Sequence, residues 1–343
     1  GAVGGGQPIL GTTVYGPAGS WLTGHFASAA PPPYRTTGLS VPRRILDHAL
    51  VEAARASGAE IRERTAVLAV LRRGGAVAGL RVRDRSGGTR ELRARLTIGA
   101  DGLHSIVARA IGTRRSGPLR RYALVAHVAG VTGLGQTAEM HVTGAGYLGL
   151  NPLGGDVANV AVVVPKSGMA PGSAGSGAGP ARAFFRELAR FPAVRDRVSP
   201  EAIVRPVMAS GPFAARTTPV IADGALLTGD AADFFDPFTG DGLGTAFRGA
   251  ELVEQTVLEP LRSGRPMGRS VLRPYANARR RAFFGKWVVE RLIGYAMLRP
   301  AFFDRAVARL ERRGLSHTLI GVTGGFVPAR AVLNPAFLSQ VVF

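Results

Sequence analysis

Residues 225–258 read ALLTGDAADFFDPFTGDGLGTAFRGAELVEQTVL. The opening run, ALLTGD, has the composition of a short buried strand and ends in Gly229-Asp230. After the loop, Leu243, Ala246, Phe247, Ala250, Val253 and Val257 recur on one face of a helix that runs toward Pro260. A strand, a glycine loop and a helix N-terminus make a place where backbone N–H groups point at a ligand. A phosphate cradle would keep that place free of negative charge. This loop instead carries Asp230, Asp233, Asp236 and Asp241 and no lysine. Asp230, at the strand end, suits a neutral polyol, because a carboxylate accepts hydrogen bonds from two hydroxyls. The helix N-terminus beyond it suits negative charge developing on a ring. Asp233 and Asp236 read as loop residues; Asp241 flanks the glycines nearest the ring.

The flanking sequence supplies the rest of the organisation. PRRILDHALVEAARAS (42–57) predicts a helix, with Pro42 in its first turn and Gly58 at its stop. Strand-like runs at 60–72, 76–83 and 90–99 are separated by RRGG and RSGG turns. The runs at 122–131 and 157–165 flank HVTGAGYLGLNPLGGD and predict a larger, mostly antiparallel sheet; strands within 8–34 are candidates to join it. SGMAPGSAGSGAGP (167–180) reads as a flexible loop, followed by a helix at 181–191. From 242 to about 313 the pattern is helical, with breaks expected at Pro260, Pro266, Pro274 and Pro300.

The string Gly229, Asp230, Ala231, Ala232, Pro237, Gly240, Gly242 at a strand–helix junction resembles the Gly-Asp motif of the flavin-dependent aromatic hydroxylase (para-hydroxybenzoate hydroxylase-like) and geranylgeranyl reductase superfamily. That resemblance implies an aspartate on the ribityl chain of FAD, a loop along the isoalloxazine, and a helix N-terminus at its pyrimidine edge. It makes Gly229, Asp230, Pro237, Gly240, Asp241, Gly242 and Leu243 cofactor-binding candidates. GADGLHSIVARAIG (99–112) resembles the same family's Asp-Gly motif, through Gly99, Asp101, Gly102, Ser105 and Val107. Asp101 and Gly102 then belong to the FAD region, although an aspartate there also suits a plain helix cap. Relatives often carry arginine directly after the valine; here the slot is Ala108, and Arg109 follows. RRILDHAL (43–50) resembles the start of the helix that bears an FAD-contacting arginine, which assigns that part to Arg43; a solvated helix arginine is the plain alternative. GYLGLNPLGGDVANVAVVV (146–164) resembles the substrate-domain strand beneath the flavin, making Tyr147, Leu148, Leu150, Asn151 and Pro152 pocket candidates, against ordinary sheet core.

The family's opening element, a strand followed by G-x-G-x-x-G, a helix and an acidic residue, is not found. GAVGGGQP has glycines without the flanking strand and helix. The expectation is an N-terminally truncated chain that lacks the pyrophosphate and adenosine half of the site.

The fold class implied is α/β (mixed α+β): an N-terminally incomplete Rossmann-like FAD/NAD(P)-binding domain over 1–120 and 205–260, an antiparallel substrate-domain sheet over 121–204, and a basic helical region over 261–343. The function implied is an FAD-dependent oxidoreductase, either a monooxygenase or a double-bond reductase. Its flavin would be reduced by NAD(P)H or another donor, and its substrate would be small or lipid-like. DPFTGDG is closer to the reductase-like branch, although the reductases' tryptophan-bearing substrate motif is not found.

The 343 residues contain no cysteine, which excludes disulfides, thiolate metal sites and cysteine nucleophiles. The six histidines show no metal-ligand spacing, and neither a G-x-S-x-G elbow nor a Walker loop occurs. No apolar stretch suits a membrane span, so a cytoplasmic location is the default. The formal charge is +20, nearly all of it from arginine, since Lys166 and Lys286 are the only lysines. Residues 259–313 hold fourteen basic and four acidic side chains, half of that net charge. FFGKWVVERLIGYAMLRPAFF (283–303) mixes aromatic and basic residues as interfacial helices do. A truncated or decayed flavoprotein lying against an anionic membrane is therefore the alternative reading; a merely solvated basic face is the plainer one, and no nucleic-acid module is recognisable.

Overall fold

A computed structural model describes residues 6–169 and 178–342. The chain divides into two compact units. One comprises the described residues of 1–59, 119–212 and 288–343; the other comprises 60–118 and 213–287. The leading glycines and most of the 167–180 loop lie outside the described residues. At the loop's end, Ala178–Leu188 is helical, earlier than the expected start at 181.

The first unit is built on a seven-stranded sheet. Its spatial order is Ile203–Ser210, Arg121–Val128, Val157–Pro165, Gly146–Gly154, Thr137–Thr143, Gly11–Tyr15, Trp21–His25. All neighbours are antiparallel except Thr137–Thr143 with Gly11–Tyr15. Two strands from the 8–34 region thus join this sheet. Side chains alternate faces along each strand. Leu124, Leu148, Leu150, Val160 and Val162, all fully buried, face the helix Ala178–Leu188 and meet Phe184 and Leu188.

The C-terminal helices do not form a region apart. Gly24 leaves room for the helix Ser316–Thr323: a Cβ there would lie 2.4 Å from Ile320 and 2.7 Å from the Ser316 carbonyl. Trp21–His25 is the edge strand, and its outward N–H groups need partners. Glu311 accepts from Thr23 N–H at 3.0 Å, and His317 Nδ1 accepts from His25 N–H at 3.0 Å. Asp304 accepts from Ala18 N–H at 2.9 Å and from the Ser20 hydroxyl at 2.7 Å.

The second unit holds an antiparallel meander, Ala66–Arg73, Ala76–Arg83 and Thr89–Arg93. The expected third strand, 90–99, is two strands. Thr97–Gly99 leaves the meander and pairs in parallel with Ala225–Leu227. Gly99 permits this: a Cβ there would lie 2.7 Å from Leu227 and 2.8 Å from Val107. A third small sheet joins Thr113–Ser116, Ala215–Thr218 and Asp233–Phe234.

Two of the expected helix breaks are absent. Gly242–Arg262 runs through Pro260 and Arg269–Ala296 runs through Pro274. Each proline lies within two turns of a helix end, where one missing N–H costs little continuity. Pro266 does fall in the break, and Pro300 is the first residue of Pro300–Arg312.

Candidate functional site

The parallel strands Thr97–Gly99 and Ala225–Leu227 end side by side, tied onward by Thr228 N–H to the Gly99 carbonyl at 2.9 Å. Each strand then opens into a turn and a helix. After the first, Asp101 accepts from Ile106 N–H at 2.7 Å and Ser105 Oγ from Ala108 N–H at 2.8 Å, so the two side chains cap Ile106–Ile111. Gly102 adopts φ +72°, which glycine reaches at little cost. The helix-capping alternative for Asp101 is therefore one of its contacts. Ala108, in the slot where the resemblance expects arginine, is fully buried. Arg109 turns back to the His104 carbonyl at 2.7 Å.

After the second strand, Gly229 takes φ +54°. A Cβ on Gly229 would meet nothing nearer than Ala246 at 3.9 Å, so space stays open beside the half-buried Asp230. Arg114 braces this turn from within. Its guanidinium donates to the carbonyls of Ala231 (3.1 Å) and Asp230 (3.4 Å) and to the Thr217 hydroxyl (3.1 Å). Burial lowers the Arg114 pKa, and the Asp230 charge opposes that shift. Nothing in the bare sequence TRRS marks Arg114; only its strand position aims it at the turn.

The loop continues through Asp236, whose buried carboxylate accepts from Phe238 N–H at 3.0 Å, and through Gly240 at φ +69°. Asp233 pairs with Arg279, both side chains nearly buried, and Arg279 also lies over the rings of Phe283 (5.3 Å) and Trp287 (5.4 Å). Asp233 and Asp236 thus hold the loop itself.

Asp241 occupies the N-cap of Gly242–Arg262, yet its side chain makes no cap hydrogen bond. It turns to Lys286, 2.9 Å away. The first intrahelical bond here is Thr245 N–H to the Asp241 carbonyl at 3.0 Å, which leaves the N–H groups of Gly242, Leu243 and Gly244 ahead of the ladder as donors. A Cβ on Gly244 would sit 2.1 Å from Asp241 Oδ1, so a side chain there would push the Asp241 carboxylate out of its present place. Gly249, one turn on, lets the helix approach Thr228, whose Oγ1 would be 2.4 Å from a Cβ.

The predicted pocket residues on Gly146–Gly154 do not share a face. Leu148 and Leu150 point into the helix-covered core, and buried Pro152, paired with Ala158, lies on the same side. Tyr147 and Asn151 point the other way by strand alternation. Tyr147 is 2% exposed, with Arg121 5.7 Å from its ring centroid. Arg43 belongs to the first unit, while the Gly229 and Asp101 turns belong to the second. Its Nε donates to Asp47 at 2.8 Å on its own exposed helix, the solvated arrangement.

The basic stretch is not uniformly solvated. Arg279 and Lys286 are paired, and Arg309 and Arg313 donate to carbonyls near the C-terminus. Arg280, Arg281, Arg299 and Arg305 are exposed. Among the described residues no cluster of metal-ligating side chains occurs, and no helix is long and apolar enough to cross a membrane.

The strand-end aspartate, the positive-φ Gly229 turn and the N-terminus of Gly242–Arg262 all belong to the second unit. The chain is 28% identical over 281 residues to digeranylgeranylglycerophospholipid reductase of Methanosphaerula palustris, covering 80% of this chain and 66% of the relative. It is 31% identical over 235 residues to the enzyme of that name from Methanothrix thermoacetophila, covering 66% and 56%. It thus spans less than two thirds of either. The fold matches a geranylgeranyl bacteriochlorophyll reductase-like protein from Thermoplasma acidophilum (TM-score 0.76, 19% identity, 98% of this chain and 82% of that one). It also matches a myxobacterial chondrochloren halogenase described as FAD-dependent (TM-score 0.74, 20% identity, 99% and 80%). The family model described as FAD binding domain covers residues 32–288, and the chain belongs to that family.

Proposed function

We propose that this chain acts as an FAD-dependent oxidoreductase that reduces carbon–carbon double bonds of a lipid-like substrate, with NAD(P)H or another donor supplying the electrons. The observation that carries the cofactor assignment is the Gly229-Asp230 turn at the end of Ala225–Leu227, followed by a glycine loop and the N-terminus of Gly242–Arg262. Asp230 would hold the ribityl hydroxyls; Pro237, Gly240, Asp241, Gly242 and Leu243 would lie along the ring. Asp101 and Gly102 are assigned to the same cofactor by resemblance. Bound FAD supplies hydride transfer; the protein supplies position and electrostatics. The N–H groups of Gly242 to Gly244 would stabilise negative charge on the reduced ring.

Reduction is preferred to monooxygenation because the two relatives above are named reductases and carry a lipid in their names. Tyr147 and Asn151, on the sheet face away from the core, are the pocket residues retained. The decisive experiment is anaerobic turnover of a prenylated lipid with a chemical or NAD(P)H donor. Saturated product without O₂ supports reduction; product that appears only with O₂ and carries oxygen sinks it. Flavin co-purifying with the chain tests the cofactor assignment separately.

A peripheral contact with an anionic membrane suits such a substrate. Leu292, Tyr295 and Leu298 are 49%, 45% and 56% exposed beside the exposed Arg299, and with Phe302 they line a groove of about 410 Å³. Flotation with anionic liposomes, compared with an Arg299→Ala/Leu298→Ser variant, reads this contact directly.

A further inference from the structure

Across four neighbouring strands of the seven-stranded sheet, the register places Arg205, His127, Asn159 and Asn151 side by side. His127, Asn159 and Asn151 lie on the face away from the helix-covered core by alternation; Arg205, between two register shifts of its strand, reaches the same face, where its guanidinium meets His127 and Met208, and all four are half-buried. With strands about 4.8 Å apart, this polar row is roughly 14 Å long. The adjacent row, also by register, is apolar and uncharged: Met208, Val125, Ala161, Gly149, Met140. One face of one sheet thus carries a polar stripe beside an apolar stripe.

The end of the polar stripe is electrostatically incomplete. Arg205 Nη1 lies 3.3 Å from His127 Nε2, and Nη2 lies 2.6 Å from the Met208 thioether. Guanidinium nitrogens only donate, so Nε2 accepts and the His127 proton sits on Nδ1. A neutral imidazole and a thioether are weak partners for a cation. Among the described residues no carboxylate pairs with Arg205. Arg197 in the same unit shows the usual solution, a bidentate Glu139 at 2.7 and 3.0 Å. Burial, and then the Arg205 charge, lower the His127 pKa, as expected where the counter-charge is missing.

We infer that Arg205 and His127 form the head-group site for a phosphorylated amphiphile, whose apolar chain lies along the Met208–Val125–Ala161–Gly149–Met140 row. Guanidinium and imidazole N–H are the donors that phosphate oxygens take in a forked geometry. Asn159 and Asn151 would accept and donate to neutral oxygens next to the phosphate. This deepens the lipid-like substrate proposed above and rests on that sheet being the substrate side.

The test is calorimetric titration of the full chain as purified with decyl phosphate, decanol and inorganic phosphate, the amphiphiles below micelle formation. The proposal expects decyl phosphate to bind about tenfold or more tighter than either decanol or inorganic phosphate. Arg205→Gln should lose about tenfold for decyl phosphate and leave decanol unchanged, with Arg205→Lys and His127→Gln between the two. Far-UV dichroism keeps a misfolded variant out of the comparison. Equal binding of decyl phosphate by wild type and Arg205→Gln overturns the site. Inorganic phosphate binding as tightly as decyl phosphate overturns the amphiphile and reassigns the pair to a free anion. Flavin content, measured on the same samples, reports on the cofactor assignment alone, so its failure is separable from failure here.

Discussion

Lys286 lies 2.9 Å from the Asp241 carboxylate and 3.1 Å from the Asp241 carbonyl, and so holds the residue that precedes the helix Gly242–Arg262. Without Lys286 a lone carboxylate would face the N–H donors assigned to the flavin ring. Lys286→Met should weaken flavin retention, by about 1 kcal/mol on the scale of a partly screened ion pair. Asp241→Asn in the Lys286→Met background should restore part of it. Flavin dissociation by equilibrium dialysis on all four members of the cycle is the measurement, and strict additivity of the two changes would rule out the pairing as the cause.

Gly249 is held to its identity by Thr228. Gly249→Ala puts a methyl 2.4 Å from Thr228 Oγ1 in a buried contact, so either the Thr228 hydroxyl must rotate away or the helix must shift. The expected cost is about 1–3 kcal/mol, as for overpacking elsewhere. Gly249→Ala/Thr228→Ala should recover much of it. Urea midpoints decide; a single mutant as stable as wild type contradicts the packing described.

Tyr275 is fully buried, and its hydroxyl donates to the Leu227 carbonyl at 2.6 Å. Tyr275→Phe leaves that carbonyl without its side-chain donor at the end of the strand that delivers Asp230. A loss of about 1–3 kcal/mol in unfolding free energy is expected. Thermal melts should move down while decanol binding at the seven-stranded sheet stays unchanged.

Much of the site was legible because it depends on local chemistry. The Gly229-Asp230 strand end follows from turn residues within one stretch, and the structure places it as expected; of the helix face, Val253 and Val257 are buried, whereas Leu243, Phe247 and Ala250 are exposed and Gly249 and Leu252 take the buried positions instead. The partners of that stretch were not legible. Arg114, Lys286 and Tyr275 reach the loop from 45 to 117 residues away in sequence, through strand register and helix packing that no local pattern encodes. The pocket strand shows the same limit in reverse. GYLGLNP names the right residue types, but which of them face the core depends on the helix Ala178–Leu188 covering one side. The C-terminal helices were read as a basic helical region because charge is visible in sequence; Asp304, Glu311 and His317, which tie them to an edge strand, are a minority in that stretch.

Glu139 gives the clearest pH signature. It is 8% exposed and accepts from both Arg197 terminal nitrogens, with His141 Nε2 2.8 Å away and Tyr15 stacked on that imidazole at 4.5 Å. Burial alone would raise its pKa, but hydrogen bonds from His141 and Arg197 prevail and lower it to about 2. A carboxylate depressed in the folded state adds stability that is complete above its unfolded pKa and is lost as pH falls through the folded one. Acid should therefore erode this contribution between the ordinary glutamate range, near 4.5, and about 2. Its size is on the order of 3 kcal/mol. Glu139→Gln should lower the melting temperature at neutral pH, because Arg197 loses its counter-charge, and should flatten the stability profile over that acid window. Parallel melting profiles for wild type and Glu139→Gln from pH 5 to 2 would show that Glu139 titrates normally and that the network contributes no acid-dependent stability.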